Sequence, residues 1–303
     1  MRYGPIHPHP TPKGRGFGGR KLLPERESRQ WSETEPALQM GLRGNCALQI
    51  DVRGPARDLH SGTFGGAVQN PIHALVRLLD SMRSPQGKIL VEGFYDQVVP
   101  LSHEMREQIA AVPFNAEAYK ADLDIDELFG EPGYTTRERT WIRPTLEVNG
   151  IWGGFQGEGT KTVLPREAHA KITCRLVPDQ DPAEVIRCIK AHIQEHKPLG
   201  VKIDVRVRET GSGAYSIPPD HFGIKAAREV LTELYGVEPY RVRMGGTIPI
   251  TSLFLRTLGA HTVVYAFGLP GEHVHAPNEF FRINSFRRGQ SAYAMLLEKL
   301  GEE

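Results

Sequence analysis

The chain has 303 residues, enough for two domains and a sizeable core, and its 37 Lys plus Arg against 36 Asp plus Glu leave no global field to draw it onto nucleic acid or anionic lipid. No apolar run approaches the roughly 18 residues of a membrane span, and the start has no apolar stretch of the kind a secretory signal carries. Three scattered cysteines, Cys46, Cys174 and Cys188, exclude a disulfide scaffold. A cytoplasmic α/β protein with no nucleic-acid or membrane partner is expected.

Residues 1–30 read as a disordered basic tail. Up to Lys21 the segment is rich in Gly and Pro, carries no acidic residue, and holds His7 and His9 in an HPHP run. Regular structure is expected from about residue 44, where Leu48, Ile50 and Val52 alternate as on a half-buried strand. Asn70-Pro71 then supplies an N-cap and a first-turn proline, followed by Ile72, Leu75, Val76, Leu79 and Met82 at helical spacing. The stretch 86–145 is punctuated, with a polar helix over His103–Ala111 and a turn at Glu131-Pro132-Gly133. Alternation returns through Ala168, Ala170, Ile172, Cys174 and Leu176. Asp181-Pro182 opens a helix with Val185, Ile186, Ile189 and Ile193 on one face, and Val201, Ile203, Val205 and Val207 make a further strand. Strand, helix, strand, helix, strand is an α+β layer with its helices on one side of the sheet. Beyond the Gly-Ser-Gly at 211–213, Ile224, Ala227, Leu231 and Leu234 form a helical stripe ended by Gly236. His261–Phe267 reads as a strand buried on both faces, as in a parallel sheet. Phe286, Tyr293, Leu296, Leu297 and Leu300 mark a last helix.

Four loops gather polar residues and glycines where the regular pattern breaks. GPARDLHSGTFGG places His60 between a strand and a helix, where it is either a site residue or a histidine bonded to its own turn. GFQGEGTKTVLP carries Thr162 and precedes a strand on which Arg175 lies outside the buried alternation. A guanidinium held on a rigid strand suits a carboxylate, although a solvent-facing arginine has the same pattern. VRMGGTIPIT sets Gly245-Gly246-Thr247 before an apolar run, a turn whose N–H groups can hold an anion or merely reverse the chain. GLPGEHVHAPNEFF puts His273 and His275 after a buried strand, where open α/β sheets carry their sites. One loop cannot supply the three or four donors of a zinc site.

Taken in order, GLRGN, GPARDLHSGTFGG, GIWGGFQGEGTKTVLP, CRLVPDQDP, GGTIPIT and HAPNE resemble the two-zinc metallopeptidases that include carnosine dipeptidases, acetylornithine deacetylase and succinyl-diaminopimelate desuccinylase. The dipeptidase branch is nearest. The resemblance implies an α/β fold: the C-terminal part of a zinc-peptidase catalytic sheet domain plus an inserted α+β lid that forms a homodimer. On that pattern residues 31–43 belong to the catalytic domain, 44–212 to the lid and 213–303 to the rest of the catalytic domain. The implied chemistry is hydrolysis of a peptide or acyl-amino-acid substrate with two zinc ions. His60 matches the histidine that reaches the neighbouring subunit's site, Thr162 and Arg175 the pair that handles substrate, Thr247 a further substrate contact, and His275 a zinc ligand. Asn149 lies beside this region, His273 matches no role, and Glu27 falls at the spacing of another carboxylate ligand.

The family's HxD and adjacent-glutamate motifs, which supply most of its metal ligands and its general base, are missing from the sequence. Glu302-Glu303 stands in no matching context. The expectation is therefore an N-terminally truncated fragment, inactive alone. The alternatives are a non-catalytic dimerisation module or one half of a split enzyme.

Overall fold

The computed structural model describes residues 22–25, 29–207, 211–272 and 277–302. The chain opens with strands β1 (Leu22–Glu25), β2 (Ala37–Leu42), β3 (Gly44–Arg53) and β4 (Leu59–His60), then helices α1 (Ser61–Phe64) and α2 (Pro71–Ser81). Three short helices follow, α3 (His103–Ala110), α4 (Ala116–Leu123) and α5 (Thr136–Ile142), before β5 (Thr145–Gly153), β6 (Val163–Leu164) and β7 (Glu167–Leu176). The remainder runs α6 (Pro182–Glu195), β8 (Lys202–Arg206), β9 (Tyr215–Ser216), α7 (Phe222–Tyr235), β10 (Tyr240–Met244), α8 (Pro249–Leu258), β11 (His261–Val264) and α9 (Ile283–Glu302).

Period-two alternation builds the lid. β3 pairs antiparallel with β7 from Gly44↔Leu176 to Arg53↔Glu167, and the sheet order is β5-β7-β3-β8. Leu48, Ile50, Val52, Ala168, Ala170, Ile172, Cys174 and Leu176 are buried on one face, beneath Leu75 and Leu78 of α2 and Val185, Ile189 and Ile193 of α6. Both helices start as the sequence indicates, with the Asn70 side-chain Oδ1 accepting from the Ile72 N–H (2.9 Å) and the Asp181 carboxylate from the Ala183 N–H (3.0 Å). α2 differs in its stripe: Val76 faces solvent, Ala74 and Leu78 take buried places beside Leu75, and Ile72 and Leu79 are half-buried.

The second sheet runs β1-β11-β2-β10, with β9 also paired to β2. β11 is parallel to β1 and β10 to β2, but β11 meets β2 antiparallel at Val264↔Gln39, so the sheet is mixed rather than parallel throughout. The tail expected over residues 1–30 is regular in part: β1 pairs with β11, and buried Gln30 donates to the Ala266 carbonyl (2.6 Å). His7 and His9 lie outside the described residues. α9 covers this sheet with Ser285, Gly289, Ala292 and Leu296, leaving Phe286 and Leu297 outward. Small residues win the inner stripe because the helix comes close; a Cβ on Gly289 would stand 3.3 Å from the Phe267 ring.

The two sheets share a narrow junction. Arg43 alone separates β2 from β3, and the returning chain crosses against it, with mutual bonds between Asn45 and Ser212 (2.8 and 2.9 Å). A Cβ on Gly44 would stand 2.6 Å from the Ala214 nitrogen, so glycine is required for this crossing. The α3–α5 insertion is pinned nearby by Arg137, whose guanidinium lies over Trp31 (4.7 Å), Trp141 (4.9 Å) and Phe114 (5.3 Å).

Candidate substrate-anchoring site

Arg175 stands near the end of β7, on the face away from the lid helices, between its register partners Asn45 on β3 and Thr145 on β5. Its Nη1 donates to the Thr247 hydroxyl at 3.0 Å. Thr247 comes from the Gly245-Gly246-Thr247 turn between β10 and α8, so two residues singled out separately in the sequence meet where the sheets join. Asn149 accepts from the Thr173 hydroxyl (2.6 Å), two positions along the same face of β7.

A third group, Arg43, was not singled out by sequence. Its Nε donates to the Gly245 carbonyl (3.0 Å) and its Nη1 to the Arg143 carbonyl (3.2 Å). Burial, and after it the positive charge of Arg175, push this guanidinium down to about 10, with Glu147 opposing. It stays protonated at neutral pH. Among the described residues neither Arg43 nor Arg175 has a carboxylate within 4.0 Å. Two guanidiniums with no carboxylate in contact among the described residues, one of them bonded to a hydroxyl and Glu147 acting only from beyond 4.0 Å, form a place for an anion.

His60 and Thr162 belong to a different place. β4 and β6 pair as a two-stranded ribbon, with His60 opposite Val163, and the Ser61 N–H donates to the Thr162 carbonyl (3.1 Å). This ribbon sits before the start of β7, whereas Arg175 is near its end. Roughly 26 Å of strand, at about 3.3 Å per residue, lies between Glu167 and Arg175. Thr162 is therefore a neighbour of His60 rather than of Arg175 within one chain. His60 is exposed and caps α1, its Nδ1 accepting from the Gly62 N–H (3.1 Å). That bond leaves the proton of the neutral ring on Nε2, which is free to donate outward.

Thr247 also lines a cavity of about 1350 Å³ with Trp31, Phe280, Phe281, Phe286 and Tyr293. In its lining Glu272 accepts from the Leu269 N–H (2.9 Å) and from Arg282 Nη1 (3.0 Å), which ties residues 269–272 to Arg282. His273, His275 and Glu27 lie outside the described residues. Among the described residues no group of three or more His, Cys, Asp or Glu side chains could hold a metal ion, so these residues by themselves do not fit a resident zinc pair. No helix among them is long and apolar enough to cross a membrane.

Residues 40–201 match the family described as the peptidase dimerisation domain. The Cys-Gly metallodipeptidase of Schizosaccharomyces pombe is 32% identical over 274 residues, covering 89% of this chain and 57% of that protein. The human Beta-Ala-His dipeptidase is 29% identical over 292 residues, covering 96% of this chain and 58% of its own length. Among solved structures, the M20 family metallo-carboxypeptidase of Sulfolobus solfataricus superposes with a TM-score of 0.80 at 28% identity, over 91% of this chain and 63% of that one. The chain thus spans less than two thirds of each of these relatives. The match of residues 40–201 to the peptidase dimerisation domain, with the likeness to these relatives over 89%, 96% and 91% of the chain, makes this chain a member of the M20 peptidase family and supports its dipeptidase branch.

Proposed function

We propose that this chain supplies the substrate-anchoring part of a hydrolase that cleaves peptide or acyl-amino-acid bonds beside a free carboxylate. The observation that carries the reading is the Arg175–Thr247 contact at 3.0 Å, at the seam of the two sheets and beside a second guanidinium, that of Arg43, with no carboxylate in contact among the described residues. A planar fork on a rigid strand grips a carboxylate bidentately, and the adjacent hydroxyl sets its orientation. The names of the relatives, metallodipeptidases and a metallo-carboxypeptidase, support the same class of substrate.

The lid pairs with that of a second copy in this reading. His60 and Thr162 of one copy then reach the Arg175–Thr247 anchor of the other, and His60 Nε2–H donates to the oxygen of the scissile carbonyl as charge develops there. The separation along β7 supports action between copies rather than within one. A second reading, one half of an enzyme supplied in two pieces, is favoured by the cavity beside Thr247 and by exposed Phe280, Phe281 and Phe286 in its lining.

Titration calorimetry on the full chain with glycylglycine and glycylglycinamide tests the anchor. The dipeptide is expected to bind at least about tenfold tighter than its amide, and Arg175→Met to erase that difference. Equal binding of the two probes by the unaltered chain would overturn the assignment.

A further inference from the structure

We propose that Arg43 is a positioning residue, whose guanidinium ties the crossover between the two sheets to the Met244–Thr247 turn and so fixes where Thr247 meets Arg175. The consequence for ligand binding rests on the carboxylate-anchor reading; the tie itself does not.

Arg43 is the one residue between β2 and β3, so any shift of the lid against the second sheet acts on it. Two of its donors reach the second sheet's turn, and a third holds the segment that enters β5. Its backbone N–H reaches the Met244 carbonyl (3.2 Å), Nε the Gly245 carbonyl (3.0 Å) and Nη1 the Arg143 carbonyl (3.2 Å). The guanidinium lies so close along the turn that a Cβ on Gly245 would stand 2.7 Å from Nη2. The Thr140 carbonyl stands at the same 2.7 Å, so Gly245 leaves room for both the Arg43 fork and the α5 backbone two residues before Thr247.

Its other end is fixed. Arg143 makes two 2.8 Å bonds to the Glu131 carboxylate, and its own guanidinium lies over Tyr134 (4.3 Å) and Tyr95 (5.0 Å). Arg43 stands two residues before Asn45 and Arg143 two before Thr145, and Asn45 and Thr145 are the residues that flank Arg175 in the sheet. Both neighbours of the Arg175 strand are thus held at their ends by one guanidinium, which also holds the turn carrying Thr247. The planar fork matters more than the charge here, because both side-chain acceptors are neutral carbonyls at fixed angles. A lysine would bring the charge without spanning the two.

The test uses the full chain, Arg43→Lys, Arg43→Met, and both Arg43→Met and its parent in a Thr247→Val background. Hydrogen exchange at amides 244–248 is expected to quicken about tenfold in both Arg43 variants while α6 amides keep their rates. Preference for glycylglycine over glycylglycinamide is expected to fall about tenfold in both variants, with Lys giving no rescue. In the Thr247→Val background the further loss from Arg43→Met should be under about twofold, because both changes break one connected unit. Unchanged exchange at 244–248, full rescue by Lys, or additive losses with Thr247→Val would each overturn the proposal. If the unaltered chain does not distinguish the two probes, the anchor reading falls, and the exchange rates alone decide whether Arg43 holds the turn.

Discussion

Asp51 shows how much a single residue's role depends on distant partners. It lies on the β3 face opposite the helices, where alternation predicts only a polar position, yet its side chain is fully buried. His169 Nδ1 stands 2.5 Å from it, Gln49 donates at 2.8 Å, and Arg206 closes the cluster, while Trp152 stacks on His169 at 4.8 Å. Burial alone would raise the carboxyl. The bonds from Arg206, Gln49 and His169 together outweigh it and hold the group at about 2, below its usual 3.8. A depressed carboxyl stabilises the fold above its unfolded value and loses that contribution as pH falls from about 4 toward 2. Urea unfolding should show a steeper loss over that window in the unaltered chain than in Asp51→Asn, and Asp51→Asn should cost about 1–3 kcal/mol at neutral pH. His169 and Arg206 are 118 and 155 residues away in sequence, so no local pattern could announce them. Arg43 escaped notice for the same reason, whereas Arg175 was legible through the matched CRLVPDQDP block, because its place outside the buried alternation is one that a solvent-facing arginine shares.

At the scale of elements, the lid strands and the starts of α2 and α6 were legible because pleat and capping are local. α5 carries a local start signal inside the punctuated stretch 86–145. Thr135 and Glu138 form a capping box, with the Glu138 carboxylate accepting from the Thr135 N–H (2.6 Å) and the Thr135 hydroxyl from the Glu138 N–H (3.3 Å). α9 is the opposite case. Phe286, Leu296 and Leu297 all fit an apolar stripe, but only Leu296 is buried, at 3% exposure against 55% and 66% for the other two. The choice between adjacent leucines was made by close contact with the sheet, which favours Gly289 and Ala292 on the inner line. Leu296→Ala is therefore expected to lower unfolding free energy by about 2–5 kcal/mol, and Leu297→Ala by less than about 0.5, in urea titrations.

For the whole molecule, the two edges of the lid sheet differ in what they offer a second copy. β8 turns Lys202, Asp204 and Arg206 outward, the kind of charged edge that discourages strand addition. β5 leaves Val148 and Ile151 exposed, with Trp152 beside them. If lids pair along β5, Ile151→Lys should shift sedimentation velocity toward the monomer at a concentration where the unaltered chain is dimeric; an unchanged profile would place the contact elsewhere. The sequence by itself determined the lid's alternating strands, its capped helices and, through six matched blocks, the family. Those signals are local in the chain or fixed in spacing. Only the tertiary structure decided that Thr247 meets Arg175, that Thr162 sits with His60 instead, and that Arg43 lies at the seam. Each of these depends on how a narrow crossing brings two sheets together, and contacts made across 72 residues, as between Arg175 and Thr247, leave no periodic trace along the chain.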